Sequence, residues 1–372
     1  MSFKAESTLP PGFGQLLSIT LTGNGGENLR QVIEAASLEK IRQYGLSPWL
    51  YHWIKVQGYG DRVPIDLLKE LRQDFSQHLF RSTMQQNEIR EILAALADAG
   101  IAAILLKGAD LGLRVYGDPA LRTMSDLDLL LAPEDIPMAE LVLGRLGYQV
   151  YSEHQDKRLI INEVCYSPPA GKILHVDLHW EIVAACSFYY LPYRPLRAAA
   201  VPMDFYGIPA LTLSPEHLLI HVCLHAYENF PTPYQLLDLA LILLRLPLNW
   251  QMLLHETIRF GCQLPVSLVL REIAGVVPVT LPAAVLAQLR AQPPSLIERL
   301  VSHPRLRYLT LALPFFYRHR SLRHWFLFMA ANLWPKRAVL DISGSKWARV
   351  IHWRDLFRKF LSKSMPQRSL DH

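Results

Sequence analysis

Leu105-Leu106-Lys107-Gly108-Ala109 and, a little further on, Arg122-Thr123-Met124-Ser125-Asp126-Leu127-Asp128-Leu129-Leu130-Leu131 decide how this chain is read. Two aspartates one residue apart interrupt a run that is otherwise apolar. Side chains on a strand alternate between faces, so Asp126 and Asp128 emerge together while Leu127 and Leu129 point the other way. Adjacent carboxylates repel unless a cation lies between them. Hard oxygen donors in this arrangement suit Mg²⁺ or Mn²⁺, with substrate phosphates completing the coordination.

The preceding segment supports a nucleotide-handling site. Ile101 to Leu106 is a short apolar run, predicted to be a buried strand, and Lys107-Gly108 ends it. Ala109 to Tyr116 reads as a short helix. A strand that breaks at glycine and enters a helix brings backbone N–H groups to one point, where phosphates bind.

Leu106-Lys107-Gly108, then Tyr116 and Asp118-Pro119, then Leu121 through Leu130 resemble a family of uncharacterised nucleotidyltransferases in the DNA polymerase β-like superfamily. That superfamily joins a glycine turn to an Asp-x-Asp strand and takes a third carboxylate from a later strand. Ala109 stands where the usual turn has serine, and the gap from Gly108 to Asp126 is longer than in minimal versions. The resemblance implies an α+β fold, a small mixed nucleotidyltransferase sheet flanked by N-terminal and C-terminal helical regions. It also implies transfer of a nucleoside monophosphate from an NTP, with ATP the first candidate.

A third carboxylate is available. Ile173-Leu174-His175-Val176-Asp177-Leu178-His179-Trp180 alternates, with His175, Asp177 and His179 on one face of a half-buried strand. Glu163 and Glu181 could serve in place of Asp177. In the superfamily this position shares the catalytic metal and draws the proton from the attacking hydroxyl. The expected catalytic and metal-binding trio is therefore Asp126, Asp128 and Asp177, and the expected nucleotide contacts are Lys107, Gly108, Ala109, Arg122 and Ser125. Lys107 is equally readable as a strand-end lysine. Arg122 is readable as a loop pin paired with Asp118 or Asp126.

Around this core the chain divides into four stretches. Residues 1–98 read as helical, 99–187 as the catalytic core, 188–300 as a helical domain and 301–372 as a basic, aromatic-rich helical region. Leu29 to Tyr44, Ser47 to Lys55 and Pro64 to Asp98 are expected helices; Ile89, Ile92, Leu93 and Leu96 share one buried face. Strands are expected near 126–131, 148–151, 160–166 and 172–180, with a helix near 138–146. After Ser214-Pro215-Glu216, His217, His221 and His225 recur every four residues. That spacing can ligate metal, but the glutamate of a His-Glu-x-x-His pair is missing. His175, His221, His225 and Asp238 are better read as residues of the cleft.

Residues 301–372 carry 14 Lys and Arg against 3 Asp and Glu, although the whole chain is only +5. Such a segment can meet an anionic partner, nucleic acid or a membrane surface. The basic residues around Lys346 to Lys363 do not gather on one helical face, so aromatics packing inward with lysines and arginines solvated is the favoured reading. The four cysteines are scattered without Cys-x-x-Cys spacing and are expected as free thiols. Gly23-Asn24-Gly25-Gly26 lacks a following Lys-Ser or Lys-Thr and reads as a turn. No apolar run reaches the length of a membrane span. Residues 1–6 lack the apolar core of a signal peptide, which makes the cytoplasm the expected location. The acceptor is open: small molecule, peptide, protein or RNA. Two alternatives stand beside transfer, a catalytically silent nucleotide- or partner-binding protein and a metal-dependent hydrolase built on the helical histidines.

Overall fold

Alternation places Leu127, Leu129, Val176 and Leu178 on one side of their strands, and the fold is organised by burying that side. The computed structural model describes residues 9–23, 28–151, 162–183, 189–229 and 232–290. Residues 301–372, Gly25-Gly26 and Cys186 lie outside the described residues.

A seven-stranded mixed sheet forms the centre: β1 (Ile104–Leu105), β2 (Asp126–Leu130), β3 (Gln149–Val150), β4 (Glu163–Ser167), β5 (His175–His179), β6 (Val201–Phe205) and β7 (Ile208–Thr212). Their order is β3-β4-β5-β2-β1-β7-β6. Only β2 with β5 and β1 with β7 run parallel. All these strands belong to one compact unit, as do the helices below.

Four helices precede the sheet's long supporting helix: α1 (Phe13–Thr22), α2 (Leu29–Ala36), α3 (Leu38–Gln43) and α4 (Ser47–Val56). The pattern over 29–44 predicts one helix, but Ser37 adopts a left-handed φ of 62° and divides it. The break lets α3 bury Ile41 independently of the Leu29, Val32, Ile33 and Ala36 stripe of α2. The next helix, α5 (Ile65–Asp98), is unbroken over 34 residues. Its Ile89, Ile92, Leu93 and Leu96 are buried against Leu105, Leu127, Leu129, Val176 and Leu178. α6 (Lys107–Asp110) continues as a π turn through Leu111–Val115. α7 (Ile136–Arg145) adds Ala139, Val142 and Leu143 to the same core.

After β5 come α8 (Tyr193–Ala198) and, beyond β7, α9 (Pro215–Asn229), α10 (Pro233–Arg245), α11 (Trp250–Arg259), α12 (Gln263–Val276) and α13 (Ala283–Arg290). This stretch was expected to be helical throughout, and β6 and β7 correct that. Tyr206 and Gly207 both have positive φ, 50° and 86°, the geometry of a tight hairpin turn matched to strand twist. Pro202 and Pro209 mask the strand pattern; Pro202 is tolerated because β6 is the sheet edge, and Pro209 precedes the two residues of β7, Leu211 and Thr212, that pair with β1.

One side chain of α5 sets the entry to β5. The Glu88 carboxylate accepts the Ile173 N–H at 3.0 Å and the Leu174 N–H at 2.9 Å. Glu88→Ala leaves both donors without that acceptor and is expected to cost about 1–3 kcal/mol, read from urea denaturation. Glu88→Gln, which retains one acceptor oxygen, is expected to fall between wild type and the alanine variant.

Candidate active site

Strand pairing assembles the carboxylates. In the parallel β2–β5 pair, Asp126 lies opposite His175 and Asp128 opposite Asp177. Residues opposite one another share a face, so all four project from the side away from the α5 core. β1 delivers the turn: the Leu106 N–H donates to the Asp128 carbonyl at 3.1 Å, which seats Lys107 beside the carboxylates. The Lys107 ammonium is 3.7 Å from Asp128 Oδ1. Lys107 itself has φ +33°, a sparsely populated conformation for a residue with a side chain.

Asp128 is buried and carries the strongest local compensation. Burial pushes its carboxyl up, but the Lys107 charge and the His179 hydrogen bond outweigh this and hold it well below the usual carboxylate range. His179 Nε2 lies 2.9 Å from Asp128 Oδ1, while Nδ1 faces Glu163 Oε2 at 3.3 Å. Burial lowers the His179 imidazole, and its two carboxylate neighbours raise it further than burial lowers it. Asp177 moves the other way. Burial raises its carboxyl, with the Asp128 and Asp126 charges adding and the Cys165 hydrogen bond opposing. Asp126 is less enclosed and accepts the Ser125 hydroxyl at 3.0 Å.

The donor set fits a divalent cation. Asp128, Asp177 and His179 each offer a ligand atom, all within 4.8 Å of one another, and Asp126 stands on the same face one strand step away. Asp177 lies beside two further carboxylates whose charges help to raise its own carboxyl, and a cation would relieve that crowding. The three helical histidines do not converge in this way. Among the described residues the donors that come together are those of the strands, and His217 instead pairs with Glu256 at 3.1 Å.

The remaining expected residues occupy varied settings. An added Cβ on Gly108 would meet Met124 Sδ at 2.6 Å and Arg122 Nη1 at 3.2 Å, so the close approach glycine allows is to its own following loop. Ala109 lies in the apolar core. His175 is exposed. His221 and His225 lie within electrostatic reach of Lys107 and Asp128. Burial, then Lys107, pushes both imidazoles down, His225 to about 4. Gln235 Nε2 donates to His225 Nδ1 at 2.8 Å, a bond that suits the neutral ring.

Arg122 and Asp238 find each other. Arg122 Nε and Nη2 bond the two Asp238 oxygens at 3.0 and 2.9 Å, and the Tyr116 hydroxyl donates to Oδ1 at 2.8 Å. The guanidinium also lies 5.1 Å from the Tyr234 ring centroid, and the Tyr234 hydroxyl donates to the Thr123 carbonyl. Gln85 completes the hold by donating to the Met124 carbonyl at 2.9 Å. The loop that leads into β2 is thus fixed from α10 and α5. Neither Asp118, which accepts the Ala120 N–H, nor Asp126 is the partner of Arg122.

Sequence reasoning reads His179 as a polar-face residue beside Asp177 and passes over Tyr234. Strand parity did place His179 on the polar face; nothing in the sequence names its contact with Asp128. Of the cysteines, Cys165, Cys223 and Cys262 are free thiols, and Cys165 lies opposite Asp177 on β4. Among the described residues no helix is long and apolar enough to cross a membrane.

The model of the family described as "Uncharacterised nucleotidyltransferase" matches residues 35–276. No curated protein matches. Among solved structures, the solution structure of the antibiotic-resistance factor ANT(2'')-Ia is similar at 17% identity, covering 52% of this chain and 93% of that one, with a TM-score of 0.35. Its crystal structure with adenylyl-2''-tobramycin is similar at 16% identity, 56% and 97% coverage and a TM-score of 0.32. An antigenic nucleotidyltransferase-like protein from Paracoccidioides brasiliensis is similar at 17% identity, 57% and 96% coverage and a TM-score of 0.36.

Two measurements check the electrostatics. Asp238→Ala strands a buried guanidinium and is expected to cost about 3–5 kcal/mol in chemical denaturation, whereas Arg122→Met with Asp238→Leu costs less. His225, lowered to about 4 from 6.5, contributes stability that is complete above pH 6.5 and lost as pH falls toward 4, because the unfolded chain binds the proton first. His225→Gln is therefore expected to flatten that limb of the stability profile.

Proposed function

The chain belongs to the uncharacterised nucleotidyltransferase family, and from that premise we propose that it moves a nucleoside monophosphate from an NTP to an acceptor nucleophile and releases pyrophosphate. ATP is the first candidate donor. The observation that carries this reading is the register of β2 against β5, which sets Asp128 beside Asp177 with Asp126 on the same face.

Asp126, Asp128 and Asp177 would hold Mg²⁺ or Mn²⁺. When bound, such ions neutralise phosphate charge and stabilise the oxygens of the displacement. Lys107 keeps Asp128 ionised and offers a cation to charge developing on the departing pyrophosphate. The raised Asp177 carboxyl makes this residue the better proton acceptor of the pair for an incoming hydroxyl. The N–H groups around Gly108 and Ala109, with the hydroxyl of Ser125, are assigned to the triphosphate. Arg122 acts through the loop it fixes. His175, His221, His225 and Asp238 line or support the cleft, His221 and His225 as neutral hydrogen-bonding groups. Acceptors with a hydroxyl fit this chemistry, whether small molecule, peptide, protein or RNA. A cytoplasmic setting, where NTPs are abundant, suits the reaction.

Pyrophosphate release from each labelled NTP, with Mg²⁺ or Mn²⁺ and cell extract as acceptor source, tests the proposal. Label should pass to a product, and Asp126→Asn, Asp128→Asn and Asp177→Asn should each lower the rate by at least about 10²-fold. Saturable nucleotide binding without release would instead mark a catalytically silent nucleotide-binding protein. Absence of nucleotide binding in folded protein would remove the assignment.

A further inference from the structure

Three side chains on neighbouring strands form a continuous chain of contacts: Glu163 on β4, His179 at the end of β5 and Asp128 on β2. Antiparallel pairing sets Glu163 opposite His179, while Asp128 is the diagonal neighbour of His179 on the same face. Glu163 Oε2 lies 3.3 Å from Nδ1, and Asp128 Oδ1 lies 2.9 Å from Nε2. The His179 and Asp128 side chains are each only 8% exposed.

Both ring nitrogens are therefore engaged, at opposite ends of the ring, by carboxylates on different strands. A ring held in this way cannot swing about χ2 without breaking both contacts. Its Nε2 engages the same Asp128 oxygen that Lys107 approaches at 3.7 Å, so the carboxylate is held from two sides. A metal-ligating carboxylate held by a hydrogen bond keeps its orientation when the ion leaves and returns, and loss of such a support commonly weakens metal affinity by 10–100-fold.

We infer that His179 is a positioning residue that orients the Asp128 carboxylate for the divalent cation, with Glu163 fixing the imidazole from behind. This rests on the nucleotidyl-transfer reading, because it assumes that Asp128 is a metal ligand. The proximity of the His179 nitrogen to Asp128 and Asp177 allows another role, direct ligation, which the same experiment separates.

The test is Mn²⁺ titration of the full-length chain by electron paramagnetic resonance, with a pulsed measurement for nitrogen coupling. It compares wild type with His179→Ala, His179→Gln, Glu163→Gln and Asp128→Asn, and reads thermal unfolding in parallel. His179→Ala should weaken Mn²⁺ binding about 10–100-fold. Glu163→Gln should weaken it less, and His179→Gln, whose amide still donates, should recover part of the loss. Wild type should show no nitrogen directly coupled to Mn²⁺. Should His179→Ala fail to fold, the glutamine variants at 163 and 179 carry the comparison.

Direct nitrogen coupling would overturn the positioning role in favour of ligation. Unchanged Mn²⁺ affinity in the His179 variants, with or without a lower melting temperature, would overturn it while Asp128→Asn still abolished binding. Unchanged affinity in Asp128→Asn as well would overturn the metal site itself, and the positioning role with it.

Discussion

The in-register parallel pairing of β2 with β5 is the constraint on which the rest depends. It satisfies two opposed demands in five residues of each strand. One face must be apolar enough to bury against α5, and Leu127, Leu129, Val176 and Leu178 meet that demand. The other face must bring Asp128 and Asp177 side by side, an arrangement that costs free energy because like charges opposed across a strand pair repel. Lys107 and His179 offset that repulsion at Asp128, while at Asp177 burial raises the carboxyl and the Asp128 charge adds to the rise. A site that retains unrelieved negative charge is prepared for a cation.

The supports around this pair come from distant parts of the chain. Glu88 on α5 holds the backbone that enters β5, and Gln85 on the same helix holds the loop that enters β2. Asp238 and Tyr234 on α10 hold that loop from the other side through Arg122 and Thr123. Asp238 is buried and the Arg122 side chain is only 9% exposed, so their mutual pairing is what makes either tolerable where it lies. The helices after the sheet are thereby part of the site's architecture. They fix where the Asp-x-Asp strand begins.

Several of these features were legible in the sequence because they are periodic. The Asp-x-Asp alternation, the alternating run at 173–180 and the Ile89, Ile92, Leu93, Leu96 stripe each follow from a repeat of two or 3.6 residues, and the structure contains each element. The hairpin at 201–212 was hidden by Pro202 and Pro209, which speak against strands unless the edge position of β6 and the short pairing of β7 with β1 are known. Ser37 divides a stretch whose local pattern is continuous, because burial of Ile41 is a tertiary matter. At Gly108 the side chains that crowd the glycine are Met124 and Arg122, contacts for which the sequence carries no local signal.

What the sequence by itself determined is which side chains share a face: Asp126 with Asp128, and His175 with Asp177 and His179. Face parity is a local property of the extended backbone and needs no partner. Tertiary structure alone decided the pairings: Asp128 opposite Asp177, His179 between Asp128 and Glu163, and Arg122 with Asp238 rather than with Asp118 or Asp126. These depend on strand register and on contacts more than a hundred residues apart, and a single chain of letters carries no local signal for either.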